Sequence, residues 1–193
     1  MALLLPLDLK TRLELIVAHD SLCQVDSTEL AAVANAILNR GIYSDCLVRL
    51  IDARPCIRSE VDQPFATLCE EVGLSNPNKD WAVWTILKNY MPRIADQKNN
   101  PVDEFIRFVS EIGGPDYFQS CKRFQIGDSH AIEDLFHLDM LYEWNLTDPD
   151  LKSDNRAPVL SRLETLKLEM RNVARKWLED QTNHRKTLDI TNQ

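Results

Sequence analysis

Residues 158–181, PVLSRLETLKLEMRNVARKWLEDQ, have the clearest helical pattern in the chain. Their apolar side chains recur every three or four residues, so on an α-helix they form one stripe about 100° wide. Pro158 suits the first position of a helix, where its missing N–H costs nothing. The stripe consists of Val159, Leu163, Leu166, Met170, Val173, Ala174 and Trp177. The pattern predicts a long helix that buries this stripe against a neighbour.

Shorter segments with the same spacing fill the rest of the chain. No segment shows the alternation of apolar and polar residues that is typical of a β-strand. Only five glycines occur in 193 residues, which suits helices better than turn-rich β-structure. The sequence therefore predicts an all-α protein of about eight or nine helices, as an antiparallel bundle or an irregular stack of helical hairpins. Pro92 is expected to end the fifth of these helices.

The charge of the chain changes sign along its length. Residues 1–155 contain 14 Lys and Arg against 25 Asp and Glu, whereas residues 156–186 contain eight against four. We expect a single helical domain over residues 1–183, because this length suits one compact core. That domain consists of an acidic body (1–155) and a basic amphipathic helix (158–181), and a disordered tail (184–193) follows it. An antiparallel hairpin of the last two helices would place the opposite charges side by side.

The cysteines and the first residues bear on the compartment. Five cysteines, without a C-x-x-C pair or zinc-like spacing, predict free thiols and a cytoplasmic protein. The opening MALLLPLDLK is apolar only to Leu7 and is interrupted by Pro6. It is too short for a signal peptide or a membrane span, so we expect neither export nor membrane association.

Negative charge is concentrated between residues 124 and 155, where eight acids accompany a single base, Lys152. Such a surface repels the phosphates of nucleic acids and attracts a basic partner. We therefore expect the acidic body to bind another protein with a basic surface, and not nucleic acid. The predicted binding surface consists of Asp128, Glu133, Asp134, Glu143, Trp144, Asp148 and Asp150.

The segment 127–144, GDSHAIEDLFHLDMLYEW, permits a different chemistry. On a helix that begins near Ser129, two histidines and two acids share one face at spacings of three and four residues. These are His130, Glu133, Asp134 and His137. Imidazole and carboxylate groups so placed can bind a divalent cation, although neither H-E-x-x-H nor a paired E-x-x-H motif is present. We expect a solvated or salt-bridged face and no cofactor, with a divalent-metal site as the alternative.

Two features of this helix depart from a simple amphipathic pattern. Asp139 falls in the middle of the apolar side, where an unpaired carboxylate is costly. Its expected partner is Arg162 or Arg156, and the alternative is an acid that awaits a ligand. Leu141 and Trp144 lie on the polar side towards the end of the helix, where we expect another group to cover them.

Three segments carry a resemblance to known proteins: LKTRLELIVAHD (9–20), GIYSDCLVRLIDAR (41–54) and GDSHAIEDLFHLD (127–139). They resemble small all-helical bacterial proteins without established activity, some of which are of the immunity-protein type. The resemblance implies a helical fold and a role in blocking a partner, and it transfers no functional residue. An acidic surface would steer a basic toxin, such as a nuclease, into rapid association.

These observations give three functional hypotheses. The first is a non-catalytic cytosolic helical protein that binds another protein, of immunity or inhibitor type, through its acidic surface. The second is a metal-dependent enzyme that uses the histidine and acid cluster. The third is a structural subunit that docks through its C-terminal helix. No nucleotide-binding or serine-hydrolase motif is present, and a Cys–His nucleophile would have to assemble in three dimensions.

Overall fold

The computed structural model describes residues 3–22, 27–53, 58–74, 77–122, 124–154 and 156–191, with backbone alone for Ser27, Arg58 and 182–191. Within these residues the chain forms nine α-helices and no strand, which confirms the all-α prediction. The chain divides into two compact units, Met1–Ile86 and Leu87–Gln193. The division falls inside α5 (Lys79–Ala95), and not where the charge changes sign. None of the described helices is both long enough and apolar enough to cross a membrane.

Four helices of the first unit pack around one apolar core. They are α1 (Leu7–Ser21), α2 (Ser27–Asn39), α3 (Asp45–Asp52) and α4 (Arg58–Val72). α2 packs on both α1 and α3, and α3 packs on α4. Leu13, Leu47 and Leu68 are fully buried between them. The N-terminal segment joins this unit, since the backbone N–H of Leu3 donates a hydrogen bond of 2.7 Å to the carbonyl of Glu71.

The second unit has an aromatic core. Its remaining helices are α6 (Pro101–Glu111), α7 (Asp116–Cys121), α8 (Glu133–Leu146) and α9 (Ala157–Thr191). The rings of Phe105, Phe108, Phe118 and Phe136 contact one another in sequence, with centroids 5.1–6.1 Å apart. These contacts join α6, α7 and α8, and α9 packs on α8 and α6.

The stripe predicted on α9 is buried. Val159, Leu163, Met170, Ala174 and Trp177 are each at most 5% exposed, while Leu166 and Val173 are half-buried. The start of α9 contacts the end of α8, and its later part contacts the turn before α8, so the two helices are antiparallel. The predicted hairpin is therefore confirmed. The backbone of α9 is helical as far as Thr191. Disorder over residues 184–193 stays a prediction.

The expectation that Pro92 ends α5 is wrong, because the helix continues to Ala95. A proline in the last turn of a helix removes only one hydrogen bond of the ladder. The carbonyl of Pro92 still accepts from the backbone N–H of Asp96 (3.1 Å). Met91 and Ile94 on either side are completely buried, and this packing holds the last turn in place.

Candidate protein-binding surface at the end of α8

A tight turn before α8 fixes where that helix begins. Gly127 and Ala131 both have left-handed backbone conformations, with φ of +88° and +55°. The carbonyl oxygen of Gly127 accepts hydrogen bonds from the N–H groups of His130 (3.1 Å) and Ile132 (3.0 Å). The chain therefore reverses here, and α8 starts only at Glu133.

The four residues of the predicted metal-binding face do not share one helical face. They are His130, Glu133, Asp134 and His137. The left-handed residue Ala131 separates His130 from α8, so the prediction of a single continuous helix is wrong. Asp134 and His137 are exposed on α8, and Glu133 is half-buried. In the part of the chain that the structure describes, no group of three or more His, Cys, Asp and Glu side chains is arranged to hold a metal ion. Metal binding at these residues stays a prediction.

His130 is buried in the second unit, with 1% of its surface exposed. Its ring packs edge-on against Tyr117 and Phe118, at centroid distances of 5.6 and 5.3 Å. Its Nδ1 atom lies 2.8 Å from Oγ of Ser129. Its carbonyl oxygen accepts a hydrogen bond of 3.0 Å from the indole N–H of Trp177. His130 therefore ties the turn before α8 to both α7 and α9.

A chain of polar contacts runs from α7 through this turn. Sγ of Cys121 lies 3.2 Å from Oγ of Ser129, which in turn contacts the imidazole of His130. No sequence motif marks this arrangement. Cys121 and Ser129 come together only through the way the chain folds between them. A nucleophile needs a base that is within hydrogen-bond reach and a substrate that can approach both. Burial of His130 keeps solvent and substrate away from its ring. The contacts among Cys121, Ser129 and His130 therefore stabilise the turn.

The outer face of α8 carries exposed apolar groups. Trp144 is 72% exposed and Met140 is 57% exposed. Together with the exposed His137, they occupy positions i, i+3 and i+7, so they line one side of the helix. The exposed acids Asp134 and Glu143 flank this stripe. An indole and a thioether left in water beside carboxylates are typical of a surface that contacts another molecule.

A surface pocket of about 400 Å³ opens beside Trp144. It is lined by Leu141, Trp144, Asn145, Thr147, Asp148 and Pro149. Arg162 of α9 binds two of these residues, since its Nε donates to Oδ1 of Asn145 (3.0 Å) and its Nη2 to Oδ2 of Asp148 (2.7 Å). This ion pair is one of the contacts between acidic and basic segments that the predicted hairpin implies. The pocket therefore lies at the end of α8 and in the turn after it, where Arg162 of α9 binds two of the lining residues.

The acids of the predicted binding surface have different environments. Asp128 accepts hydrogen bonds from the backbone N–H groups of Phe124 and Gln125, so it stabilises its own turn. Asp148 is engaged with Arg162. Glu143 near the end of α8 and Asp150 in the following turn are exposed, as is Asp134 in the first turn of α8. The carboxylates available to a partner are thus Asp134, Glu143 and Asp150.

Asp139 is half-buried on the inner side of α8. Its Oδ1 atom is buried and accepts no hydrogen bond from any residue that the structure describes. Arg162, one of its two expected partners, binds Asp148 instead. Burial, and then the carboxylate of Glu143 one turn later, raise the pKa of Asp139 to about 6. Its surroundings therefore disfavour the ionised form of this carboxyl group.

Comparison with known proteins gives no relative for this chain. No protein-family model, no curated protein and no solved structure matches it.

Proposed function

We propose that this protein is a non-catalytic binding module that recognises another protein through the end of α8 and the turn after it. The observation that carries this proposal is the exposure of Trp144, whose indole lines a pocket on a segment rich in acidic residues. Tryptophan is the residue type most enriched among those that dominate the energy of protein interfaces. The surface that we assign to the partner consists of Asp134, Glu143, Trp144 and Asp150.

The charge of this surface defines the partner. Eight acids and one lysine lie between residues 124 and 155, in a chain of net charge −8, so this segment itself creates a negative field. Such a field accelerates association with a positively charged protein and repels nucleic acid. A basic toxin blocked by an immunity-type protein fits this requirement, as the sequence resemblance implies.

The free thiols agree with a reducing compartment such as the cytoplasm. Cys46, Cys69 and Cys121 are unpaired in the described part of the chain, whereas Cys23 and Cys56 lie outside the described residues. Burial is the largest of the effects that raise the pKa of Cys69 to about 12, so this thiol stays protonated.

An affinity experiment with matched variants tests the proposal. The full chain serves as bait for extracts of its native host, at low and at high salt. Trp144→Ala and Glu143→Lys change the proposed surface. Tyr43→Ala and Asp103→Lys are the controls, because Tyr43 is 69% exposed in the first unit and Asp103 is exposed on α6.

A true partner binds both control variants and fails to bind either variant of the proposed surface. It also dissociates from the unmodified chain as salt screens the charges. A protein that binds Trp144→Ala as well as it binds the unmodified chain contradicts the proposal. So does a partner whose binding is insensitive to Glu143→Lys and to salt.

A further inference from the structure

The polar groups of the pocket beside Trp144 are already engaged within the protein. Nδ2 of Asn145 donates to the carbonyl of Leu141 (2.8 Å), and its Oδ1 accepts from Arg162. The hydroxyl of Thr147 donates to the carbonyl of Trp144 (2.8 Å). Asp148 accepts from Arg162 through Oδ2 and from the backbone N–H of Asp150 through Oδ1 (3.0 Å). A polar ligand would therefore have to compete with these hydrogen bonds.

The apolar groups of the pocket, by contrast, have no hydrogen bonds that an apolar ligand would have to displace. Leu141 is half-buried, and Trp144 and Pro149 are exposed. Removing this apolar surface from water is favourable for any apolar group that enters. The volume of about 400 Å³ is at the small end of the range for ligand pockets. It suits one amino-acid side chain with its adjoining backbone better than an extended cofactor.

One carboxylate adjoins this apolar slot on the side of the turn. Asp150 immediately follows Pro149, a residue that lines the slot, and its side chain is exposed. Glu143, at 100° per residue, lies on the side of α8 away from Leu141. A chain segment that placed one apolar side chain in the slot would carry its neighbouring residues past Asp150.

We infer that the partner docks by inserting one large apolar side chain, such as leucine, between Trp144, Leu141 and Pro149, with a neighbouring Lys or Arg pairing with Asp150. This inference rests on the proposed function and narrows it to a recognition motif in which a large apolar residue adjoins a basic one. The apolar side chain supplies affinity, and the cation supplies orientation and rate of association.

Three short peptides distinguish the contribution of the apolar side chain from that of the basic residues. Ac-Lys-Leu-Lys-NH₂, Ac-Lys-Ala-Lys-NH₂ and Ac-Glu-Leu-Glu-NH₂ are titrated into the ¹⁵N-labelled full chain, and the indole N–H signal of Trp144 and the amide of Thr147 are followed by NMR. Trp144→Phe assigns the indole signal among the four tryptophans. We expect Lys-Leu-Lys to bind about 10-fold more tightly than Lys-Ala-Lys, because leucine buries a larger apolar area. Glu-Leu-Glu is expected to bind more weakly still.

Each other outcome has its own meaning. Equal binding of Lys-Leu-Lys and Lys-Ala-Lys overturns the apolar slot but leaves the acidic surface of the proposed function intact. Equal binding of Lys-Leu-Lys and Glu-Leu-Glu overturns the acidic contribution, and with it the proposed function as stated. Shifts that persist at Thr147 in Trp144→Ala, or that vanish in the control Tyr43→Ala, place the peptide elsewhere and overturn the inference.

Discussion

The indole N–H of Trp177 on α9 donates a buried hydrogen bond of 3.0 Å to the carbonyl oxygen of His130, 47 residues earlier in the chain. This contact joins the last helix to the turn that precedes α8. It explains why a residue of the predicted metal-binding face is held in the core. Both ends of the contact are nearly inaccessible, with Trp177 4% and His130 1% exposed.

Trp177→Phe keeps most of the apolar contact but removes this hydrogen bond. A buried carbonyl left without its donor costs about 1–3 kcal/mol. We therefore expect the free energy of unfolding to fall by about that amount, measured by urea denaturation. Trp144→Phe is the matched control, since Trp144 is 72% exposed and its loss is expected to change stability by less than about 0.5 kcal/mol. Equal effects of the two substitutions would show that the hydrogen bond contributes nothing.

Gly127→Ala tests the turn itself. A Cβ atom at Gly127 would lie 2.7 Å from Cδ2 of Phe136 and 3.0 Å from Cγ1 of Ile132, in a backbone conformation with φ +88°. We expect a loss of about 2–4 kcal/mol, since steric overlap adds to the left-handed strain. Gly113→Ala carries the strain alone, because φ is +85° and nothing lies within 4 Å of its Cβ. Its expected loss is about 1–2 kcal/mol. The difference in free energy of unfolding between the two variants, measured by thermal or urea unfolding, therefore gives the cost of the steric overlap. A Gly127→Ala protein as stable as Gly113→Ala would contradict the close packing of this turn.

The contrast between α9 and this turn shows what the sequence can and cannot reveal. The stripe from Val159 to Trp177 follows from periodicity alone, because burying it requires one helical face and nothing else. The start of α8 does not, since alanine is the best helix former and the left-handed conformation of Ala131 is imposed by its surroundings. The exposure of Trp144 follows partly from its angular position on α8. The pocket beside it depends on how the turn after α8 folds, where Asn145 and Asp148 are bound by Arg162 of another helix, and no local pattern encodes this contact.

Asp139→Asn tests the buried carboxyl group. Its pKa of about 6 in the folded protein lies above the value of 3.8 for a free carboxyl, so the folded state holds the proton more tightly. Stability should therefore fall as the pH rises from about 4 to about 6, and then level off. Asparagine removes the penalty of ionisation, so the variant should be more stable than the parent by about 1–2 kcal/mol at pH 7, with the difference vanishing near pH 4.

Urea denaturation of both proteins at the two pH values measures this difference. Asp134→Asn on the exposed side of α8 is the control. It leaves Asp139 in place, so it should keep the parent's loss of stability between about pH 4 and about pH 6. A variant that is less stable than the parent at pH 7 would mean that Asp139 is ionised and paired in the folded protein.

Glu104→Gln tests a buried carboxylate that pairs with partly exposed arginines of α5 and α6. The Glu104 side chain is 8% exposed, and its carboxylate lies 2.6 Å from Nη2 of Arg93 and 3.1 Å from Nη1 of Arg107. Arg93 in turn covers the ring of Tyr90, with its guanidinium carbon 4.4 Å from the ring centroid. Neutralising Glu104 leaves two arginines without their carboxylate, so we expect a loss of about 2–3 kcal/mol in urea denaturation.

Glu164→Gln is the control for an exposed pair, because Glu164 lies 2.7 Å from Nζ of Lys167 with 69% of its side chain in solvent. Its expected loss is less than about 0.5 kcal/mol. Losses of similar size for the two substitutions would mean that burial of Glu104 adds nothing to its ion pairs.

Ending the chain at Asn155 decides whether α9 belongs to the second unit or serves to dock it elsewhere. The deletion removes Val159, Leu163, Met170, Ala174 and Trp177, all of which are buried, and it exposes the inner sides of α8 and α6. We expect the second unit to lose cooperative unfolding and dispersed NMR signals, because each buried side chain of this size contributes about 1.5–3 kcal/mol. Ending the chain at Gln181 instead retains every buried residue of α9 named above, and this shorter deletion should leave the unit folded. If the protein cut at Asn155 unfolded as cooperatively as the full chain, α9 would be free to dock on another molecule, and the hypothesis of a structural subunit would replace the binding surface on α8.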